Sequence, residues 1–104
     1  MVEQVNKEKF DELLKGDKPV VCDFFATWCG PCRMLAPVID GLSQSFGDKA
    51  VFVKVDVDEN AELSVRYGIM SIPLVAIFKN GELAAKSLGY ISKTEAEKFL
   101  NDNL

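Results

Sequence analysis

The sequence contains no histidine and only three cysteines. Without histidine, the chain cannot form a Cys–His nucleophile pair, a Ser–His–Asp triad or a zinc site that depends on imidazole. An odd number of cysteines argues against a purely structural disulfide framework. Because there is one Cys-x-x-Cys segment and no second pair, zinc or an iron–sulfur cluster would need further ligands. We therefore expect no metal site.

The chain also lacks a cluster of basic residues and a long apolar segment. Twelve basic and sixteen acidic residues give a net charge of −4, which disfavours nucleic acids and anionic membranes as partners. The longest apolar runs, such as Leu74–Phe78, are far too short to span a membrane. The first residues are charged and contain no apolar signal segment, so we expect a cytoplasmic protein.

The length and composition are those of one globular unit. A chain of 104 residues has room for a single domain, residues 1–104, and can bury a real core without crosslinks. Hydrophobic residues make up 48% of the sequence and charged residues 27%, close to the values of ordinary globular proteins.

Helical and strand patterns alternate through the first two thirds of the chain. A first helix is predicted with Asn6 as its N-cap, Gly16 at its end and an apolar face of Phe10, Leu13 and Leu14. Residues 19–26 are apolar except for Asp23, which predicts a strand buried on both faces. A long helix follows up to Gly47, and its apolar positions from Cys32 onward are Met34, Leu35, Val38, Ile39, Leu42 and Phe46. Pro37 falls inside this helix and should kink it.

The second half of the chain ends in a predicted hairpin and a helix. Residues 51–56 form a second β-rich run, and residues 59–67 are predicted as a short helix with Ala61 and Val65 on its apolar face. Leu74–Lys79 and Glu82–Leu88 flank Asn80-Gly81, the pair that a type I′ turn prefers. A capping box, Ser92–Glu95, begins the last helix. With a short strand at Val2–Val5, the pattern predicts an α/β fold whose mixed sheet has helices on both faces.

The segment Trp28–Cys32 lies where the buried strand ends and the long helix begins. The partial positive charge and unpaired N–H groups of a helix N-terminus favour the thiolate form of Cys29. Cys32, one turn further along, is expected to be better covered. We predict that Cys29 attacks a disulfide of another protein and that Cys32 then releases the reduced product. The alternative, a structural crosslink, would contribute only about 2 kcal/mol because its loop is so short.

Asp23 is the second informative residue, because a carboxylate inside an apolar strand is costly to bury and should have a raised pKa. Buried carboxylates of this kind often transfer protons. One hypothesis is that Asp23 accepts the proton of Cys32 when Cys32 attacks. The alternative is a structural aspartate that hydrogen bonds or pairs with Lys54, the polar residue of an otherwise apolar strand.

The whole chain resembles the thioredoxin family, and the motifs that carry the resemblance are specific. They are Asp23-Phe24-Phe25-Ala26, Trp28-Cys29-Gly30-Pro31-Cys32-Arg33, Ala36-Pro37, Lys54-Val55-Asp56, Gly68-Ile69-Met70-Ser71-Ile72-Pro73, Phe78-Lys79-Asn80-Gly81 and Gly89. The resemblance implies a thioredoxin fold, with a central mixed sheet of about five strands, an ordinary sheet size, flanked by about four helices. It also implies reduction of protein disulfides without a cofactor, and regeneration by a flavin-containing, NADPH-dependent thioredoxin reductase.

The resemblance also implies roles for individual residues. Cys29 matches the nucleophile, Cys32 the resolving cysteine, Asp23 the buried acid and Lys54 its neighbour. Pro73 matches a cis-proline beside the disulfide, which would let the Ile72 backbone pair with substrate; cis bonds are largely confined to X–Pro. An apolar contact rim around Cys29 would then consist of Trp28, Gly30, Pro31, Ile72, Pro73 and Gly89. We expect a monomer whose partners are disulfide-containing proteins and the reductase.

Three residues depart from the usual family pattern. Phe25 replaces a frequent second tryptophan, and Leu74 stands where threonine is common, which could change target preference. Cys22 is an additional cysteine on the buried strand. We interpret it as a small core residue, because free cysteine is among the most buried residue types; the alternative is a regulatory thiol.

Two other functions are compatible with the motif. Oxidases and disulfide isomerases use similar chemistry, but they commonly carry a histidine between the cysteines to stabilise the thiolate, and here the loop is Gly30-Pro31. The second is a binding module in which the cysteines are incidental. Replacement of both cysteines by serine would distinguish that module from an oxidoreductase.

Overall fold

Alternating strands and helices assemble into one sheet covered on both faces in a computed structural model of the chain, which describes residues 2–104. The strands are β1 (Glu3–Gln4), β2 (Val20–Phe25), β3 (Val51–Asp56), β4 (Leu74–Lys79) and β5 (Glu82–Leu88). The helices are α1 (Lys7–Leu14), α2 (Gly30–Ser45), α3 (Ala61–Arg66) and α4 (Lys93–Asn103). The predicted order of elements and the thioredoxin fold are confirmed.

The sheet is mixed, as predicted, and its strand order is β1-β3-β2-β4-β5. Strands β1 and β2 both run parallel to β3, whereas β4 is antiparallel to β2 and to β5. The apolar strand β2 therefore has a neighbour on each side, and its side chains are almost all buried because helices cover both faces of the sheet. Asp23 on β2 lies opposite Lys54 on β3 in the strand register. The carboxyl ends of both strands meet at one edge of the sheet, where Cys29 follows β2.

A separate core covers each face of the sheet. On one face α2 and α4 pack against the strands through Leu35, Ile39, Leu42, Ala96 and Leu100. On the other face Phe10 of α1 and Leu63 of α3 pack with Phe24, Phe78 and Tyr67, whose rings meet mostly edge to face. Because successive strand residues point to opposite faces, Cys22 joins this second core and Asp23 points toward α2.

The apolar face predicted for the third helix is wrong. Leu63 is fully buried, whereas Val65 is 82% exposed and Ala61 is also exposed. A helix with so few apolar positions does not define its buried side by periodicity, so packing against α1 and the sheet decides the side. An ion-pair network on the outer surface, in which Lys7 and Arg66 each contact Asp11 and Glu62, joins α1 to α3.

The turn and cap signals are found where the sequence placed them. Asn80 and Gly81 have φ values of 55° and 80°, as the predicted type I′ turn requires. Gly68, after α3, also has a positive φ. Pro37 lies within α2, which is continuous from Gly30 to Ser45. None of the helices formed by residues 2–104 has the length and apolar character needed to cross a membrane.

Replacing Ser92 by alanine is expected to lower the free energy of unfolding by about 1 kcal/mol. The Ser92 hydroxyl accepts a hydrogen bond from the Glu95 N–H at 3.2 Å, and the Ser92 N–H donates to the Glu95 carboxylate at 3.0 Å. The Ser92→Ala change leaves the Glu95 N–H without its side-chain partner. Urea denaturation measures the loss, with Thr94→Ala, an exposed neighbour on the same turn, as control. Equal losses in the two variants would contradict the cap's contribution.

Candidate active site

The disulfide lies at the junction between β2 and α2. Strand β2 ends at Phe25, helix α2 begins at Gly30, and Cys29 is the N-cap residue of the helix. The Cys29 sulfur accepts a hydrogen bond from the Cys32 N–H at 3.2 Å, and the two sulfurs are joined in a disulfide. Pro31 occupies the first turn of the helix, where a missing N–H leaves no intrahelical bond unmade. The Cys29 sulfur therefore lies at the positive end of a 16-residue helix.

Cys32 is not better covered than Cys29, which corrects the expectation from the sequence. Each residue is 4% exposed in the disulfide form. The two cysteines pack with Ala26 and with the half-buried side chains of Phe25, Val57 and Ile72. They share these neighbours because the short disulfide ring keeps the two cysteines close together. The two residues differ in what they face. Cys29 Sγ lies 3.9 Å from the Ile72 carbonyl oxygen at the surface loop, whereas Cys32 lines a half-open cavity.

That cavity connects Cys32 with Asp23. It has a volume of about 130 Å³ and is lined by Asp23, Phe25, Ala26, Thr27, Cys32, Arg33, Ala36 and Lys54. Asp23 is 4% exposed, and its Oδ1 atom has no hydrogen-bond partner among the described protein atoms. A buried oxygen without a protein partner is costly unless a proton or solvent molecule serves it. Asp23, a buried carboxylate, and Cys32 thus line the same half-open cavity.

The electrostatic surroundings of Asp23 raise the pKa of its carboxyl group. Burial is the largest cause and raises the pKa, the charge of Lys54 lowers it, and that of Asp40 raises it; together they bring the pKa from 3.8 to about 6. Lys54 lies opposite Asp23 in the sheet but forms no ion pair with it among the described residues, and its Nζ lies 5.5 Å from the centre of the Phe25 ring. The structural alternative of a closed Asp23–Lys54 pair is therefore absent.

The predicted contact rim is only partly exposed. Trp28 is 68% exposed and Pro31 is also exposed, whereas Gly30, Ile72 and Gly89 are half-buried. Pro73, predicted as part of the rim, is buried beneath it. The Ile72–Pro73 peptide bond is cis, as predicted. Gly89, with a φ of 87°, donates a backbone hydrogen bond to the Pro73 carbonyl at 2.7 Å, so the two loops are joined.

Three residues near the site were missed from the sequence. Asp58 accepts a hydrogen bond from the Trp28 indole at 2.8 Å, and Asp40 contributes to the field at Asp23. Arg33 lines the cavity and donates to the Thr27 carbonyl at 2.9 Å. The position of Asp58 could have been expected from the sequence, because Asp58 follows β3, Trp28 follows β2, and the carboxyl ends of neighbouring parallel strands lie at the same edge of a sheet. Arg33 stood in a family motif without an assigned role, and Asp40 gave no signal, because charged residues on exposed turns of a helix are common.

In the part of the chain that the structure describes, neither Cys22 nor the acidic side chains form a second reactive or metal-binding site. The Cys22 thiol is fully buried, and burial raises its pKa well above the ordinary value. This position fits the prediction of a small core residue, because a regulatory thiol needs both access and thiolate character. Within residues 2–104 no cluster of three cysteine, aspartate or glutamate side chains is arranged to hold a metal ion.

Known proteins that resemble this chain match it over most or all of its length. The profile of the family described as Thioredoxin matches residues 1–102. A thioredoxin of Rickettsia bellii is 42% identical over 105 residues and is aligned over 100% of both chains. A thioredoxin of Alicyclobacillus acidocaldarius is 45% identical, over 91% of this chain and 90% of its own. One from Bacillus subtilis is 47% identical, over 82% of each chain.

Proposed function

Since this chain belongs to the thioredoxin family and is a dithiol–disulfide oxidoreductase, we propose that it reduces disulfides of other proteins, with Cys29 as nucleophile. The observation that carries the proposal is the different surroundings of the two sulfurs. Cys29 caps the helix beside the surface loop of Ile72, and Cys32 faces the cavity that also contains Asp23. An incoming disulfide would meet Cys29 first, while the proton of Cys32 would have an internal acceptor.

The reaction consists of two thiol–disulfide exchanges. The Cys29 thiolate attacks one sulfur of the target disulfide, which forms a mixed disulfide and releases the other target sulfur as a thiolate. The Cys32 thiol then gives its proton to Asp23 and attacks Cys29 Sγ. The mixed disulfide breaks, Cys29 and Cys32 become a disulfide, and the second target sulfur leaves and takes up a proton. Two electrons pass from this chain to the target.

The remaining roles follow the same scheme. Lys54 would limit the rise in the Asp23 pKa, and Trp28, Gly30, Pro31, Ile72 and Gly89 would contact the target, with Pro73 supporting them from below. The family likeness supports re-reduction by an NADPH-dependent thioredoxin reductase and the absence of any cofactor beyond the disulfide. We further propose that residues 1–104 work in the cytoplasm as a single domain and a monomer, without binding nucleic acid or membranes.

The reduction potential of the Cys29–Cys32 pair tests the direction of electron flow. Equilibration in glutathione buffers should give a value near −270 mV, a general reference figure for thioredoxins rather than a value deduced from this structure. A pair with such a potential donates electrons to protein disulfides of higher potential, such as strained or exposed ones. A potential between about −120 and −180 mV, the range of oxidants and isomerases, would instead indicate an oxidase or isomerase.

A further inference from the structure

Trp28 is both exposed and fixed by a hydrogen bond. It is the only tryptophan of the chain, and 68% of it is exposed beside Cys29. Its indole Nε1 nevertheless donates to the Asp58 carboxylate at 2.8 Å. A large side chain on the surface ordinarily samples several rotamers, and a hydrogen bond to a charged acceptor restricts that sampling. The bond therefore selects one orientation of the indole.

Asp58 is itself held by the loop that follows β3. Asp56, the last residue of the strand, is 4% exposed, and its carboxylate accepts the Asp58 N–H at 2.9 Å. The Asn60 side chain donates to the Asp56 carbonyl at 3.0 Å and accepts from the Lys7 N–H at 3.0 Å. The Val57 N–H donates to the Phe25 carbonyl at 2.9 Å, which joins the loop to β2. Asp58 is thus a fixed acceptor rather than a mobile surface residue.

We propose that Asp58 is a positioning residue, which holds the Trp28 indole in the orientation that receives a target protein next to Cys29. The inference rests on the proposed function, in which Trp28 contacts the target. Ordering a free side chain on association weakens binding, and Asp58 removes that loss before the target arrives. The benefit arises only for a target that contacts the indole, so it is larger for folded protein disulfides than for small disulfides that do not reach it.

Asp58→Ala tests the proposal, with Asp58→Asn and Glu59→Ala as matched variants. Asp58→Ala removes the acceptor, Asp58→Asn keeps an oxygen that can accept from the indole, and Glu59 is an exposed neighbouring acid. We expect Asp58→Ala to raise KM for a protein disulfide by about twofold to tenfold, the range that corresponds to ordering one side chain. The kcat should change less, and the other two variants should stay within about twofold of the parent.

Fluorescence gives a readout that a loss of stability would not imitate, since Trp28 is the only tryptophan. In the folded Asp58→Ala variant, the anisotropy of its emission should fall and quenching by acrylamide should increase, and Asp58→Asn should restore both. Unchanged anisotropy and KM in Asp58→Ala would overturn the inference.

The Trp28→Ala variant distinguishes a failure of the positioning role of Asp58 from a failure of the proposed contact between Trp28 and the target. A raised KM in Trp28→Ala together with an unchanged KM in Asp58→Ala would refute the positioning role alone. An unchanged KM in Trp28→Ala would refute the contact role of Trp28 and, with it, the inference.

Discussion

Target proteins are expected to remain covalently attached to Cys29 when Cys32 is replaced by serine. The first exchange needs only the Cys29 thiolate, so the mixed disulfide should form. A serine hydroxyl is a much weaker nucleophile than a thiolate and cannot form the Cys29–Cys32 disulfide, so the complex should accumulate. Turnover should fall by at least about 10³-fold, the scale on which covalent catalysis is lost with a nucleophile. Non-reducing gel electrophoresis, followed by reduction with dithiothreitol, measures the adduct.

Cys29→Ser is the matched control, because it retains Cys32 and the buried Cys22. It should be equally inactive but should trap no target, since Cys32 is 4% exposed and faces the cavity that Asp23 also lines, and the Cys22 thiol is enclosed in the core. Trapping by Cys29→Ser and not by Cys32→Ser would reverse the assigned roles. Full activity in a double variant lacking both thiols would indicate a binding module instead of an oxidoreductase.

In the parent protein, the Asp23 carboxyl is expected to make the free energy of unfolding up to about 3 kcal/mol smaller at pH 8 than at pH 4, and Asp23→Asn should abolish this decrease. The pKa of Asp23 is about 6 in the folded protein and 3.8 is its ordinary value, so the folded state binds the proton more tightly than the unfolded state does. The contribution of this group is fully present below pH 3.8 and is lost as the pH rises through 6. Above that pH, the native protein contains a buried carboxylate, which the asparagine variant lacks.

Urea denaturation of both proteins across this pH range isolates the effect, because the other titrating groups are common to the two chains. The difference in the free energy of unfolding between variant and parent should increase with pH and then level off above about pH 7. Asp48→Asn, which alters an exposed acid, should show no such increase. A constant difference between Asp23→Asn and its parent from pH 4 to pH 8 would contradict the raised pKa.

The same substitution should slow the second exchange. Release of the target from a preformed mixed disulfide should be about 100-fold slower in Asp23→Asn above pH 6, the scale on which a general base contributes. The parent's rate should rise through an inflection near pH 6, where Asp23 becomes able to accept a proton, and the variant should lack this inflection. Stopped-flow measurement of product release gives both quantities. If the rate and its pH dependence are unchanged, Asp23 is a structural residue only.

The sequence by itself determined the local features of this protein. Helix α2 was predictable because its apolar period extends over many residues, and strand β2 because it is a continuous apolar run. Asn80-Gly81 and Ser92–Glu95 carry their turn and cap geometry within a few neighbouring positions. The position of the Cys29–Cys32 pair at the start of α2 was predictable for the same reason, since a helix N-terminus and a Cys-x-x-Cys pair are both properties of one continuous segment. The buried carboxylate of Asp23 was visible as a single charge in an apolar run.

Only the tertiary structure decided how distant segments meet. It set the strand order, turned Leu63 rather than Val65 inward, covered both cysteines equally and buried Pro73 below the rim. It also brought Asp58 to the Trp28 indole, across 30 positions of the chain, and placed Asp23 and Cys32 on one cavity. The physical reason is that burial and hydrogen bonding between remote residues depend on how whole elements pack, and the apolar periodicity of one element records only that it has a buried side.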